Sequence, residues 1–187
     1  MDEYINCEPP KIPPKELFRD AFFKLMKEKP IDQISVDELS EQAGLSRRTF
    51  YRHFKAIDDL LMYHFRLQTD FFIRHFSRQK PTDYISLAKV FFEHCAIFNK
   101  EFLLALKRDN KLEPYLQYLF AKTRFLMEEV FENKRNRALV DTYAANFIIG
   151  SLYGVLLRWL KTGMIPGVKD MCEIVSHVME SDLFTKK

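Results

Sequence analysis

SVDELSEQAGLSRRTFYRHFK, residues 35–55, decides how the rest of the chain is read. It reads as two short helices joined by a tight turn. Ser35 with Glu38 three residues on forms a capping box, in which each side chain satisfies a backbone N–H of the other residue. Ile34 before the cap can pack on Leu39, a staple that sets how the chain enters the helix. Gly44 ends that helix, because glycine takes a left-handed conformation at little cost. Ser46 caps a second helix, and Leu45 and Phe50 repeat the staple spacing. Phe50 and Phe54 lie four apart on one face, which the spacing predicts to be buried.

The other face of the second helix carries Arg47, Arg48, Arg52, His53 and Lys55, with hydroxyls from Thr49 and Tyr51 and no acid. A short helix that presents guanidinium and hydroxyl groups from its N-terminal end suits the major groove of DNA. Arg47, Arg48 and Thr49, in the first turn, are expected to reach base edges. Ser35, Tyr51, Arg52, His53 and Lys55 are expected to hold phosphates, which position a protein without carrying sequence information. The alternative is a solvated basic face on an ordinary helical pair. The two caps, the glycine turn and the acid-free face together favour DNA binding.

The stretch SVDELSEQAGLSRRTFYRHFKAIDDLL resembles the DNA-binding domain of the TetR family of one-component transcriptional regulators. Ile34, Ser35, Leu39, Ala43, Gly44, the run Thr49 to Phe54, Lys55 and Leu60-Leu61 carry the resemblance. The strong match runs from about Leu17 to Leu61, and the remainder is similar in layout only. One position departs: where the family often has a basic residue touching phosphate at the start of the next helix, this chain has Ile57. The resemblance implies a dimer formed by the last two helices and a small-molecule site inside the C-terminal body.

Composition sets outer limits. A chain of 187 residues that is 47% hydrophobic is long and apolar enough for one large domain or two small ones. Eighteen Phe and eight Tyr imply an aromatic interior. The net charge of +3 is weak, so DNA binding must come from a local patch. Cys7, Cys95 and Cys172 fit neither a zinc spacing nor a disulfide framework, which points to a reducing cytoplasm. The N-terminus is acidic and proline-rich and does not read as a signal peptide. The apolar run Tyr143 to Leu157 is shorter than the ~20 residues needed to span a bilayer. Gly150 and Gly154 within it read as a close helix contact in a protein that meets no membrane.

In order, residues 1–14 read as a flexible arm, 15–60 as the helix-turn-helix domain and 61–187 as a helical regulatory and dimerisation domain. Leu17, Ala21, Phe22 and Leu25 mark a first helix ending near Lys29, before Pro30. Asp58 and Asp59 open a longer helix with Leu61, Phe65, Phe72 and Phe76 on its buried face. Tyr84, Leu87, Phe91, Cys95 and Phe98 form the next stripe. A short helix over about 101–107 follows, then one from near Pro114 to about Asn133. Two helices, Ala138 to Lys161 and Val168 to about Leu183, finish the chain. No stretch alternates at period two, so the fold class is all-α.

No catalytic motif is present, and no catalytic residue, metal site or cofactor is expected. His94 beside Cys95 reads as a partly buried histidine next to a core cysteine, since neighbours on a helix point apart. If the body holds an effector, the expected lining is Phe65, Phe91, Phe98, Tyr118, Phe147 and Tyr153, suited to an apolar or aromatic compound. Gly150, Gly154, Val175 and Met179 are the expected dimer residues. The whole reads as a cytoplasmic, homodimeric DNA-binding regulator, a repressor released from a palindromic operator by a small molecule. The alternative is a body that binds a partner protein, in a regulator that activates.

Overall fold

The computed structural model describes residues 12–131 and 138–181. Every regular element among them is helical, nine of them α-helices, so the all-α class follows. The chain divides into two compact units between His64 and Phe65.

The N-terminal unit holds α1 (Pro14–Glu28), a 3-10 turn (Ile31–Gln33), α2 (Val36–Ala43), α3 (Arg47–His53) and the start of α4 (Ile57–Gln79). Pro14, expected at the end of the arm, is instead the first residue of α1. The first helical position tolerates proline, because its missing N–H has no partner there anyway. The rest of the expected arm, residues 1–11, lies outside the described residues. The buried face of α1 is Phe18, Ala21, Phe22, Leu25 and Met26. Leu17, expected on that face, is only half-buried. The larger ring of Phe18 takes the core position beside Ala21, Phe22 and Leu25, which are buried as expected.

That core is aromatic. Phe18 meets Phe50 edge-on at 5.3 Å and Phe54 at 6.4 Å, and Phe54 meets Tyr63 at 5.8 Å. Phe18 and Phe50 are fully buried, each contributing roughly 1.5–3 kcal/mol from area alone. The sequence pattern alone puts the end of this unit at residue 60. The division falls later because Leu60, Leu61 and His64 of α4 are also buried, with His64 stacked on Phe23 of α1 at 5.9 Å.

The C-terminal unit holds the remainder of α4, then α5 (Tyr84–Glu93), a π-helical turn (His94–Phe98), α6 (Lys100–Arg108), α7 (Leu112–Phe131), α8 (Ala138–Lys161) and α9 (Val168–Glu180). Asn133 and Leu183, expected near helix ends, lie outside the described residues. Helix α5 packs on α8 and α9, while α7 packs on α6 and α8. Phe65, Phe72, Phe91, Phe92, Phe102, Tyr115 and Trp159 fill the core. Trp159 donates its indole N–H to the carbonyl of Pro166 at 2.6 Å, so its polar atom is satisfied in the interior. His94 is completely buried, not partly, because the π-helical turn begins there and its ring lies against Phe71 and Phe72.

Helix α8 has two apolar faces of different fate. Ile148, Leu152, Leu156, Trp159 and Leu160 are buried. Tyr143 and Phe147 are 68% and 62% exposed, and Gly150 and Gly154 are exposed beside them. A Cβ added at either glycine would have nothing within 4 Å. Among the described residues, the two glycines therefore make no close helix contact.

Candidate nucleic-acid interface

The turn between α2 and α3 is fixed by local hydrogen bonds. The Ser35 hydroxyl accepts the Glu38 N–H at 3.2 Å, and the Glu38 carboxylate accepts the Ser35 N–H at 3.1 Å. Lys29 pairs with the same carboxylate. Lys29 first, and then the Ser35 hydrogen bonds, hold the Glu38 carboxyl down at about 2. Gly44 closes α2 at φ 65°, in the left-handed region, and the Leu45 N–H returns to the Ser40 carbonyl at 2.9 Å. Ser46 then caps α3. Its hydroxyl accepts the Thr49 N–H at 3.1 Å and shares a 2.9 Å bond with the Thr49 hydroxyl. Phe50, on the inner side, anchors α3 by its ring contacts.

With the inner side fixed, the outer side of α3 is determined. Ser46, Arg48, Thr49, Tyr51 and Arg52 line an open cleft. Arg48 and Arg52 are exposed, and Tyr51 is 52% exposed. Arg48 has no hydrogen bond or ion pair among the described residues. Arg47 stands apart from this cleft: its Nη1 lies 3.0 Å from Oδ1 and 3.3 Å from Oδ2 of Asp37 in α2. Sequence reading of α3 alone missed this acid, because only the turn brings residue 37 to residue 47.

The expected phosphate contacts divide. Lys55 has an exposed side chain, and its backbone N–H is bound by the Asp59 carboxylate at 2.8 Å, which caps the start of α4. The Ser35 hydroxyl is already engaged twice by Glu38, since it also donates to the carboxylate at 2.9 Å. It stands beside a negative charge, which weakens its case as a phosphate donor. His53 is half-buried, and its Nε2 is shut off from solvent. Burial first, then the charges of Arg52 and Lys15, hold its pKa below the ordinary histidine value. That shift disfavours the imidazolium that would pair with a phosphate. Ile57 is half-buried, as an apolar residue at that position should be.

Of the residues expected to line an effector site, Phe65 and Tyr118 lie in ring contact, while Phe91 and Phe147 lie elsewhere. Phe65 packs against Tyr115 at 4.9 Å, Phe102 at 6.0 Å and Tyr118 at 6.3 Å. Phe91 packs against Phe92 at 5.4 Å and Phe72 at 6.4 Å. Rings this close fill the space between them. Phe147 instead lines an outer groove with Tyr84, Ser151, Val155, Ile174, Val175, Val178 and Met179. Tyr153 is half-buried, and the side chain of Phe98 lies outside the described residues. Val175 and Met179, expected at a dimer interface, share that outer groove, and Gly154 lines a second one with Trp159 and Ile165.

Burial pushes the Cys95 thiol up and the His94 imidazole down to about 3, the latter helped by His75. An activated thiol needs the reverse. Among the described residues, no group of three His, Cys, Asp or Glu side chains could hold a metal ion. No described helix is long and apolar enough to cross a membrane.

Residues 19–63 match the family model described as bacterial regulatory proteins, tetR family, and residues 89–181 match a transcriptional regulator C-terminal region. The chain belongs to the TetR family. TetR-family proteins are regulators, not enzymes, and this chain carries their helix-turn-helix at α2 and α3. It is 35% identical over 97 residues to HTH-type transcriptional regulators of Staphylococcus aureus strains USA300 and NCTC 8325. That stretch is 52% of this chain and 49% of each relative, so the chain spans about half the length of the curated relatives it matches. A solved structure of the fatty acid degradation regulator FadR from Bacillus halodurans superposes with a TM-score of 0.71 at 18% identity. It covers 95% of this chain and 100% of the other. A regulator from Aquifex aeolicus VF5 gives 0.61 at 20% identity, covering 90% of this chain and 98% of that one. At these identities the likeness is one of fold.

Proposed function

We propose that this TetR-family chain is a sequence-specific DNA-binding regulator that acts in the cytoplasm as a homodimeric repressor on a palindromic operator. The observation that carries the proposal is the outer side of α3. Arg48, Thr49, Tyr51 and Arg52 share one open cleft on a helix whose inner side is anchored by Phe50. In this reading Arg47, Arg48 and Thr49 in the first turn meet base edges, with Tyr51, Arg52 and Lys55 on the phosphates beside them. One such helix reads only a half-site. A two-fold dimer reads two, with centres roughly 34–36 Å apart or a multiple of that. The exposed apolar surface of α8 and α9, with Tyr143, Phe147, Ile174 and Val178 and two open glycines, supports the dimer. Release by a small apolar or aromatic effector bound in the C-terminal unit completes this reading.

A second reading has a partner protein in place of the effector, in a regulator that activates. The close packing of Phe65 and Phe91 with neighbouring rings, and the position of Phe147 on an outer groove, favour it. The test is selection from a random duplex library by the full chain, followed by sedimentation of the complex. Recovery of an inverted repeat bound by two chains supports the proposal. Binding without sequence preference, or one chain on one half-site, contradicts it.

A further inference from the structure

We infer that Asp37 of α2 is a positioning residue for base reading, orienting the Arg47 guanidinium so that its free edge meets a guanine in each half-site. The inference rests on the proposal that the outer side of α3 faces the major groove. Both side chains are well exposed, at 60% for Arg47 and 66% for Asp37, so no packing holds either one in place. What holds them is the contact itself. Arg47 Nη1 lies within hydrogen-bond reach of both carboxylate oxygens, at 3.0 and 3.3 Å. The pair consumes one guanidinium nitrogen only. Nη2 and Nε remain, carrying three of the five N–H groups of arginine in one plane. Two parallel donors on one edge are what guanine O6 and N7 accept. A guanidinium held in one plane before it meets the base loses less side-chain freedom on binding than a free one.

An acid at the DNA-facing surface otherwise works against phosphate binding. The bland account is that Asp37, in the first turn of α2, only complements that helix's positive end. The two accounts differ in what a variant does. Under the bland account Asp37→Ala weakens α2 slightly and leaves base preference intact. Under the positioning account it relaxes one defined position. Arg48 supplies an internal control, because it has no ion-pair partner among the described residues.

The experiment is selection of randomised half-sites by the full-length protein and by Arg47→Ala, Arg48→Ala, Asp37→Ala and the Asp37→Ala/Arg47→Ala pair. Titration of the selected duplex, its single-base variants and a random duplex follows. Arg47→Ala identifies the guanine that Arg47 reads. Asp37→Ala should then lower discrimination at that same base by about two- to fivefold, the range expected for an exposed ion pair. Preference at the base lost in Arg48→Ala should stay as in the parent. Affinity for random duplex should hold or rise, because a negative charge has gone. In the Arg47→Ala background, Asp37→Ala should have no further effect on selectivity. Unchanged discrimination at the Arg47 base overturns the inference, as does a parallel loss on operator and random duplex. If the parent protein selects no sequence, the reading of α3 has failed before Asp37 is tested.

Discussion

Gly154→Leu separates the behaviour of the single chain from that of a dimer. Gly154 sits in the interior of α8, is exposed, and has nothing within 4 Å of where its Cβ would stand. Glycine in a helix interior costs about 0.8–1.0 kcal/mol relative to alanine, and leucine lies close to alanine on that scale. The isolated chain should therefore gain about 1 kcal/mol, or about 2–4 °C in Tm for a domain of this size class. A dimer packed backbone to backbone at this glycine should respond the other way. Forcing a large side chain into a packed contact costs about 1–3 kcal/mol. Two-fold symmetry places the change on both partners, so association should weaken by about 2–6 kcal/mol, more than tenfold. Sedimentation equilibrium over a micromolar range, with thermal unfolding at low and high protein concentration, reads both effects. The parent's Tm should rise with concentration and the variant's should not, while in dilute solution the variant melts higher. If the parent sediments as a monomer, or the variant associates as tightly as the parent, Gly154 is not in an interface.

Other consequences are local. Ser46→Ala removes the acceptor for the Thr49 N–H and the bond to its hydroxyl, and should cost about 1 kcal/mol; faster amide exchange at Thr49 is the readout, and unchanged protection would discount the cap. Arg48→Ala should cost about 1–3 kcal/mol on the operator and relax one base position per half-site, and retained selectivity at every position would remove it from the reading set. Burial holds His64 at about 4 and His94 at about 3, with Arg19 adding to the first and His75 to the second. The unfolded imidazoles protonate near 6.5 while the folded ones stay neutral, so the unfolded state binds more protons in acid. Stability should therefore be full above about pH 6.5, fall as pH drops, and level off below about 4 and 3 for the two groups. Urea unfolding at pH 7 and 5 should show this, with His94→Phe flattening the slope; an unchanged slope would mean that His94 titrates alike in both states.

Local chemistry was legible in the chain, and what depends on contacts between distant residues was less so. Ser35, Glu38, Gly44 and Ser46 act within a few residues, and the structure places each in its expected cap or turn. The stripe Leu61, Phe65, Phe72 and Phe76 is buried because helical period alone determines it. Asp37 and Arg47 meet across ten residues through the turn, and a scan of α3 for acids could not see that. The lowered pKa of His53 depends first on burial, which a basic run in sequence conceals. The expected effector lining was a roll of aromatic residues at helical spacing. Periodicity does not distinguish a ring that fills a core, like Phe91, from one left on an outer face, like Phe147. A sequence signal for the latter did exist: α8 is apolar on nearly all sides, which calls for burial on more than one side, yet Tyr143 and Phe147 are left exposed among the described residues.

The central claim is that the outer side of α3 binds DNA, with separate groups for phosphate and for base. Titration of the selected operator and a random duplex at several salt concentrations, for the parent, Lys55→Ala and Tyr51→Phe, tests it most directly. Lys55→Ala should weaken both duplexes about equally and make the salt slope shallower by about one, since one fewer counterion is released. Tyr51→Phe keeps the charge, so affinity should fall on both duplexes with little change in slope. An unaltered slope for Lys55→Ala would contradict the phosphate role of that residue, which follows α3, and unchanged affinity for Tyr51→Phe, or a loss confined to the operator, would contradict the assignment of this side of α3 to DNA.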